Sequence, residues 1–159
     1  LGISAPAECL NKINPLLCRD NEANMFVTVF YAVINIHTGE MTYSSAGHNP
    51  PYIINPDGSI QTLVDGHNIP LGIIDTFKYK SKTKILERSA ALVLFTDGIT
   101  EAIDEDKNFF AEPRLEASLK IHAFENPKEI TTSIIEEVKD FEGKMPQTDD
   151  ITMMVIRRK

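Results

Sequence analysis

Cysteine is scarce: Cys9 and Cys18 are the only two among 159 residues. Two thiols in a chain of this length do not make a disulfide framework, and no Cys-x-x-Cys spacing marks a zinc site. They read as reduced core thiols of a cytoplasmic protein. Long apolar runs are missing as well. The longest, such as residues 90–95, falls far short of the roughly 20 residues that cross a bilayer, and no signal peptide is visible. Positive charge is in deficit, with 16 basic against 23 acidic side chains and a formal charge of −7. A surface of that sign repels phosphate backbones and anionic lipid, so neither nucleic acid nor a membrane surface is an expected partner. Nor does net charge draw in a phosphorylated substrate; if phosphate is handled here, a bound cation must attract it. No Ser-His-Asp or Cys-His-Asp constellation stands out. The 42% hydrophobic content suits a globular core, and the length suits one domain or most of one. A first residue of Leu1 rather than Met leads to the expectation of a fragment or a processed product.

What is present patterns into an α+β arrangement. Residues 4–18 predict a helix, with Pro6 in its first turn and Leu10, Ile13 and Leu17 at helical spacing; Pro15 should kink it or end it early. Residues 26–36, β-branched and aromatic on both faces, predict a buried strand. A turn at His37-Thr38-Gly39-Glu40 leads to a strand over 41–45, another over 52–54 and, after the tight turn Asn55-Pro56-Asp57-Gly58, a fourth over 60–64. Together they predict an antiparallel meander. Residues 77–85 alternate, with Lys78, Lys80, Lys82 and Lys84 on one face, which reads as a solvated face in preference to a docking stripe. The continuous apolar run over 90–96 predicts a central strand. Helices are expected over 113–121 and after Asn126-Pro127-Lys128-Glu129, where Ile130, Ile134, Val138 and Phe141 share one face and Gly143 ends the helix. A last strand is expected over 151–156.

The acidic residues are placed informatively against these strands. Asp97 directly follows the run that ends at Thr96, and Asp149 and Asp150 directly precede Ile151. If the two strands are antiparallel neighbours, about 4.8 Å apart, these carboxylates project from one edge and can share a cation. Hard oxygen ligands select magnesium or manganese over zinc. Gly98 removes a side chain where a metal, a water or a phosphate needs access. The plainer alternatives stay open: Asp-Gly is the commonest hairpin signal, and Asp149-Asp150 also suits a polar strand entry. Asp57-Gly58 and Asp65-Gly66 are read as turns.

Five blocks in order then carry a resemblance. They are Met25-Phe26-Val27-Thr28-Val29-Phe30-Tyr31, Ala46-Gly47-His48-Asn49-Pro50-Pro51, Pro70-Leu71-Gly72, Leu94-Phe95-Thr96-Asp97-Gly98-Ile99-Thr100-Glu101 and Asp149-Asp150-Ile151-Thr152. Together they resemble the SpoIIE family of the PPM (2C-type) serine/threonine protein phosphatases. The resemblance implies an α-β-β-α sandwich of two antiparallel sheets holding a pair of manganese (Mn2+) or magnesium (Mg2+) ions at one edge. It implies Asp97 and Asp149 as catalytic metal ligands, Gly98 beside the metal as backbone, and Asp150 either behind Asp149 or the closer of the two. It places His48 and Asn49 in the substrate region, where His48 either protonates the leaving alkoxide or holds its loop by hydrogen bonds. His37, His67 and His122 have no supporting context.

One departure bears on all of this. The family carries an upstream Gly-Asp-Val-x-Gly-x-Gly block whose Asp bridges the two metals, and no such block occurs here. The chain is therefore expected to be a phosphatase domain lacking its N-terminal strands, inactive by itself, with sheet edges free to pair, as in a homodimer. The resemblance also implies an upstream sensor or receiver module, and as substrate a phosphorylated STAS-type anti-sigma-factor antagonist. The alternative is a non-catalytic, phosphatase-like binding module.

Overall fold

The computed structural model describes residues 5–19, 21–64 and 68–159. In chain order the elements are α1 (Pro6–Arg19), β1 (Val29–Ile34), β2 (Glu40–Ala46), β3 (Tyr52–Ile54), β4 (Ile60–Thr62) and β5 (Lys82–Ile85). They continue with β6 (Ala91–Phe95), α2 (Asp97–Thr100), α3 (Ala111–Ile121), α4 (Pro127–Glu142) and β7 (Met153–Arg157). The α+β class is as expected, with two antiparallel sheets and four helices among the described residues. The chain divides into two compact units, one running to His48 and resuming over Val64–Leu86, the other comprising Asn49–Leu63 and Glu87–Lys159. The Asp65-Gly66 turn, His67 and Ser4 lie outside the described residues.

In the first unit β1, β2 and β5 form an antiparallel sheet in that order, with Val29 opposite Ala46 and Tyr43 opposite Lys82. Ala7 and Leu10 of α1 join Ala46, Leu71 and Tyr79 in a buried cluster. Pro15 does not end α1, which runs on to Arg19. A proline inside a helix costs about 3 kcal/mol. The turn before it is tied down from outside: Asn11 exchanges two hydrogen bonds with the Tyr79 backbone, its Nδ2 donating at 3.1 Å and its Oδ1 accepting at 2.9 Å. The fully buried Asn14 donates to the Ile74 carbonyl at 2.7 Å and accepts from the Gly72 amide at 3.0 Å. Four such bonds, each worth about 1 kcal/mol, offset the proline.

Three further expectations for this unit need correction. The strand over 26–36 is shorter, spanning Val29–Ile34, and only half-buried, while Phe26, Val27 and Ile36 lie outside it and are exposed. The meander breaks after β2: β3 pairs with β4 and β6 in the other sheet. Gly47, at φ +68°, turns the chain out of the first sheet where an added Cβ would sit 2.6 Å from Pro70 Cγ, and Pro50 and Pro51 have no amide to continue a ladder. The alternation over 77–85 also fails as a strand. Only Lys82–Ile85 pairs, while Tyr79 is buried with its hydroxyl donating to the Ile69 and Pro70 carbonyls.

The second unit holds a sheet of order β4-β3-β6-β7, every pair antiparallel. The apolar run Ala-Leu-Val-Leu-Phe is an interior strand, as its composition predicts. Its neighbour β3 turns into β4 through the Gly58 amide, which donates to the Asn55 carbonyl at 2.9 Å. One sheet face (Tyr52, Ile54, Ala91, Val93 and Phe95) packs with Leu115 and Leu119 of α3 and Ile130, Ile134 and Val138 of α4. Helix α4 starts at the expected capping box: Asn126 accepts from the Lys128 and Glu129 amides, and the Glu129 carboxylate takes the Asn126 amide.

His122, which sequence context left unassigned, closes α3 and reaches α4. Its Nδ1 lies 2.9 Å from Glu125 Oε1 and its Nε2 2.9 Å from Glu137 Oε1. Hydrogen bonding to Glu125, opposed by burial and reinforced by Glu137, raises the imidazole pKa above its ordinary 6.5. Protonation is then favoured by folding, so the stabilisation is complete below pH 6.5 and is lost as pH rises through the higher folded-state value. His122→Gln should therefore lower the melting temperature most below pH 6.5, and the gap to the unsubstituted protein should close above the folded-state pKa. Thermal melts across pH 5–9 check this; a gap that widens with pH would contradict the clamp.

Candidate active site

The strand pair β6–β7 delivers the acidic residues to one place. Phe95 lies opposite Met153, and beyond that pair the two chains stay bonded. The Thr96 amide donates to the Thr152 carbonyl at 3.0 Å, and the Thr152 amide donates to Thr96 Oγ1 at 3.0 Å. That hydroxyl in turn donates to the Asp150 carbonyl at 2.9 Å. Thr96 thus holds the strand entry 149–152 against the strand exit that carries Asp97. This backbone geometry brings Asp97 and the 149–152 strand entry to the same end of the β6–β7 pair.

Gly98 is required by the same closeness. A Cβ at this position would fall 2.6 Å from the Asp150 carbonyl oxygen and 3.0 Å from its carbon, a contact with backbone that no rotamer relieves. Asp97, Asp149 and Asp150 are all exposed. Asp149 Oδ1 accepts from the Asp150 amide at 2.6 Å, which fixes the turn and leaves its other oxygen outside that bond. The Asp149 carbonyl is held by Gln147 Nε2 at 2.6 Å.

The donor chemistry here is hard oxygen throughout, which suits magnesium or manganese. The number of donors does not suffice: among the described residues no three His, Cys, Asp or Glu side chains converge on a point where an ion could sit. A two-metal site needs a carboxylate between ions roughly 3.5–4 Å apart, and nothing in this set supplies one.

Beside Asp97 opens a cavity of about 500 Å³, lined in part by Asn49, Tyr52, Phe95, Glu101, Phe109 and Glu112. Asn49 and Asp97 thus line the same cavity. His48 belongs to the first unit, and its Nδ1 is 3.4 Å from Thr28 Oγ1. Sequence reasoning missed the cavity wall. The loop after α2 is tied into a knot in which Asp104 Oδ1 accepts from the Asp106 and Asn108 amides and Asn108 Nδ2. Hydrogen bonds from Asn108 lower the Asp104 pKa. The Ile103–Phe109 bridge and the Phe110 amide, bonded to the Ala102 carbonyl at 2.8 Å, close the loop and set Phe109 at the rim. An Asp four residues before an Asn was the one local signal for it.

The family model for Stage II sporulation protein E (SpoIIE) matches residues 2–159. The phosphoserine phosphatase RsbU of Bacillus subtilis is 31% identical over 157 residues, which are 97% of this chain and 45% of that protein. Protein IcfG of Synechocystis sp. is 31% identical over 134 residues, 84% of this chain and 21% of its own. The chain thus spans less than half the length of these curated relatives. Among solved structures, the SiaA-PP2C domain of Pseudomonas aeruginosa superposes with a TM-score of 0.86 at 21% identity, covering 100% of this chain and 63% of that one. The manganese-presoaked phosphatase domain of SpoIIE from Bacillus subtilis gives 0.69 at 22% identity, covering 98% and 67%. Sheet order, the Thr96-clasped acidic edge and the end-to-end family match lead to one conclusion: the chain belongs to the SpoIIE family, within the PPM (PP2C-type) class of phosphatase domains.

Proposed function

We propose that this chain is the greater part of a metal-dependent protein serine/threonine phosphatase site, which hydrolyses phosphoserine or phosphothreonine on a regulatory protein of bacterial signalling. The observation that carries the reading is the Thr96 clasp, which sets Asp97 beside the 149–150 backbone. Similarity to a phosphoserine phosphatase across 97% of the chain supports the reaction class. In this reading Asp97 and Asp149 are metal ligands, Asp150 supports Asp149, Gly98 gives the site backbone access, and Asn49 and His48 lie toward the substrate. The bound Mn2+ or Mg2+ pair would supply Lewis acidity toward water and the phosphoryl oxygens. The chain's own residues fix the carboxylates, admit the phosphate past Gly98 and shape the cavity beside Asp97.

The substrate we propose is a phosphorylated STAS-type anti-sigma-factor antagonist in the cytoplasm, with a sensor or receiver module elsewhere in the whole protein. No helix of the described residues is long and apolar enough to cross a membrane. The alternative is a phosphatase-like module that docks a partner without turnover. An upstream Gly-Asp-Val-x-Gly block in the whole protein supports the enzyme, and a degenerate one supports the module.

Two outcomes follow. In the whole protein, Asp97→Asn should reduce manganese-dependent hydrolysis of a phosphoserine peptide by roughly a hundredfold or more, with an unchanged melting temperature, since the carboxylate is exposed and no cavity opens. Near-normal turnover at saturating manganese would remove Asp97 from the ligand set. Residues 1–159 alone should be inactive and bind manganese only weakly, whereas the chain extended upstream through a bridging-carboxylate block should turn over. Calorimetric metal titration and phosphopeptide assays of the two forms side by side test this; equal turnover would mean that the site is complete without the added block.

A further inference from the structure

The cavity beside Asp97 has a chemistry that phosphate hydrolysis does not call for. Its floor is aromatic: Tyr52 and Phe95 are buried and stacked, with centroids 5.4 Å apart and planes 7° from parallel. At its rim Phe109 is 59% exposed, a large ring held toward solvent by the closed 102–110 loop. The walls carry Glu101 and Glu112, with no lysine or arginine among the lining residues. The Tyr52 hydroxyl senses this charge, for burial and then the neighbouring Glu116 and Glu112 carboxylates hold its pKa far above the ordinary value. A phosphate group is repelled by such walls, and an anionic side chain is repelled equally.

We propose that this cavity is a specificity pocket for a cationic side chain, arginine above all, borne by the substrate protein close to its phosphorylated residue. The inference rests on the phosphatase reading for the word substrate; the pocket itself rests on its lining. A guanidinium is flat and weakly hydrated, so it can stack on an aromatic ring while its fork of N–H donors meets a carboxylate. Phe109 offers the ring, and Glu112 and Glu101 the carboxylates. Asp97 is committed to the metal in this reading, so recognition of the cation falls to the two glutamates. The pocket also resolves an electrostatic difficulty. A chain with a formal charge of −7 does not attract a phosphoprotein by long-range forces, whereas a basic residue beside the phosphate gives the substrate a group that this surface does attract.

The test uses the whole protein with manganese and two phosphoserine peptides that differ only by arginine or glutamine near the phosphoserine. The arginine peptide should show about tenfold higher kcat/KM, the factor that corresponds to roughly 1.4 kcal/mol of cation–π and charge pairing. Glu112→Gln or Phe109→Ala should bring that ratio toward one, and Glu112→Lys should reverse preference in favour of a glutamate peptide, a gain that misfolding cannot mimic. A ratio near one in the unsubstituted protein, or a preference unmoved by all three variants, overturns the proposal. A second arm measures binding of the unphosphorylated arginine peptide by fluorescence anisotropy. Binding that depends on Glu112 in a protein without phosphatase activity keeps the pocket and discards the hydrolytic reading. Hydrolysis without arginine preference does the reverse.

Discussion

The arrangement depends on one hydroxyl. Antiparallel pairing of β6 with β7 brings a strand exit beside a strand entry, but pairing ends at Phe95 and Met153, before either acidic residue. Thr96 Oγ1 bridges the gap by donating to the Asp150 carbonyl and accepting from the Thr152 amide. Without it the bond from the Thr96 amide to the Thr152 carbonyl would be left to hold two polar segments together at the end of a sheet. A valine at this position, similar in shape, would leave the Thr152 amide and the Asp150 carbonyl without this partner. Closeness then dictates Gly98, since the carbonyl that Thr96 captures occupies the space of a Cβ.

That constraint explains why part of the site could be read from the sequence. Asp97 and Asp149 were placed by two facts visible in one dimension: an apolar run ends just before one, and another begins just after the other. A β-ladder preserves such end-to-start relations. The capping box at Asn126 and the turn at Asn55 were legible for a similar reason, as both are closed within four residues. What failed was non-local. Whether Pro15 breaks its helix depends on bonds from Asn11 and Asn14 to residues some 60 positions away. Whether β3 pairs with β2 or β6 depends on a positive φ at Gly47 and on Pro70 packed against it. His122 gains meaning only when Glu137, on another helix, arrives beside it.

The pocket wall was illegible for a further reason. Glu101 and Glu112 look like ordinary surface acids, and Phe109 looks like a residue that ought to be buried. Only the closure of the Asp104 loop sets that ring at an open rim, against the usual preference for burial.

Charge distribution joins the two features. The formal charge of −7 falls wholly on the unit that holds Asp97, Asp149, Glu101 and Glu112, while the other unit is neutral by count of its side chains. Concentrating acid in this way disfavours the folded state through self-repulsion. Divalent ions at the Asp97 edge would relieve part of that repulsion, and a guanidinium at Glu112 another part. Both kinds of cation would bind more strongly because the lysines and arginines of this unit neutralise its field only in part. A phosphate then meets a surface that repels it until the ions are in place. Metal loading would therefore precede productive substrate binding, an order that follows from the sign of the charges and not from the detailed geometry.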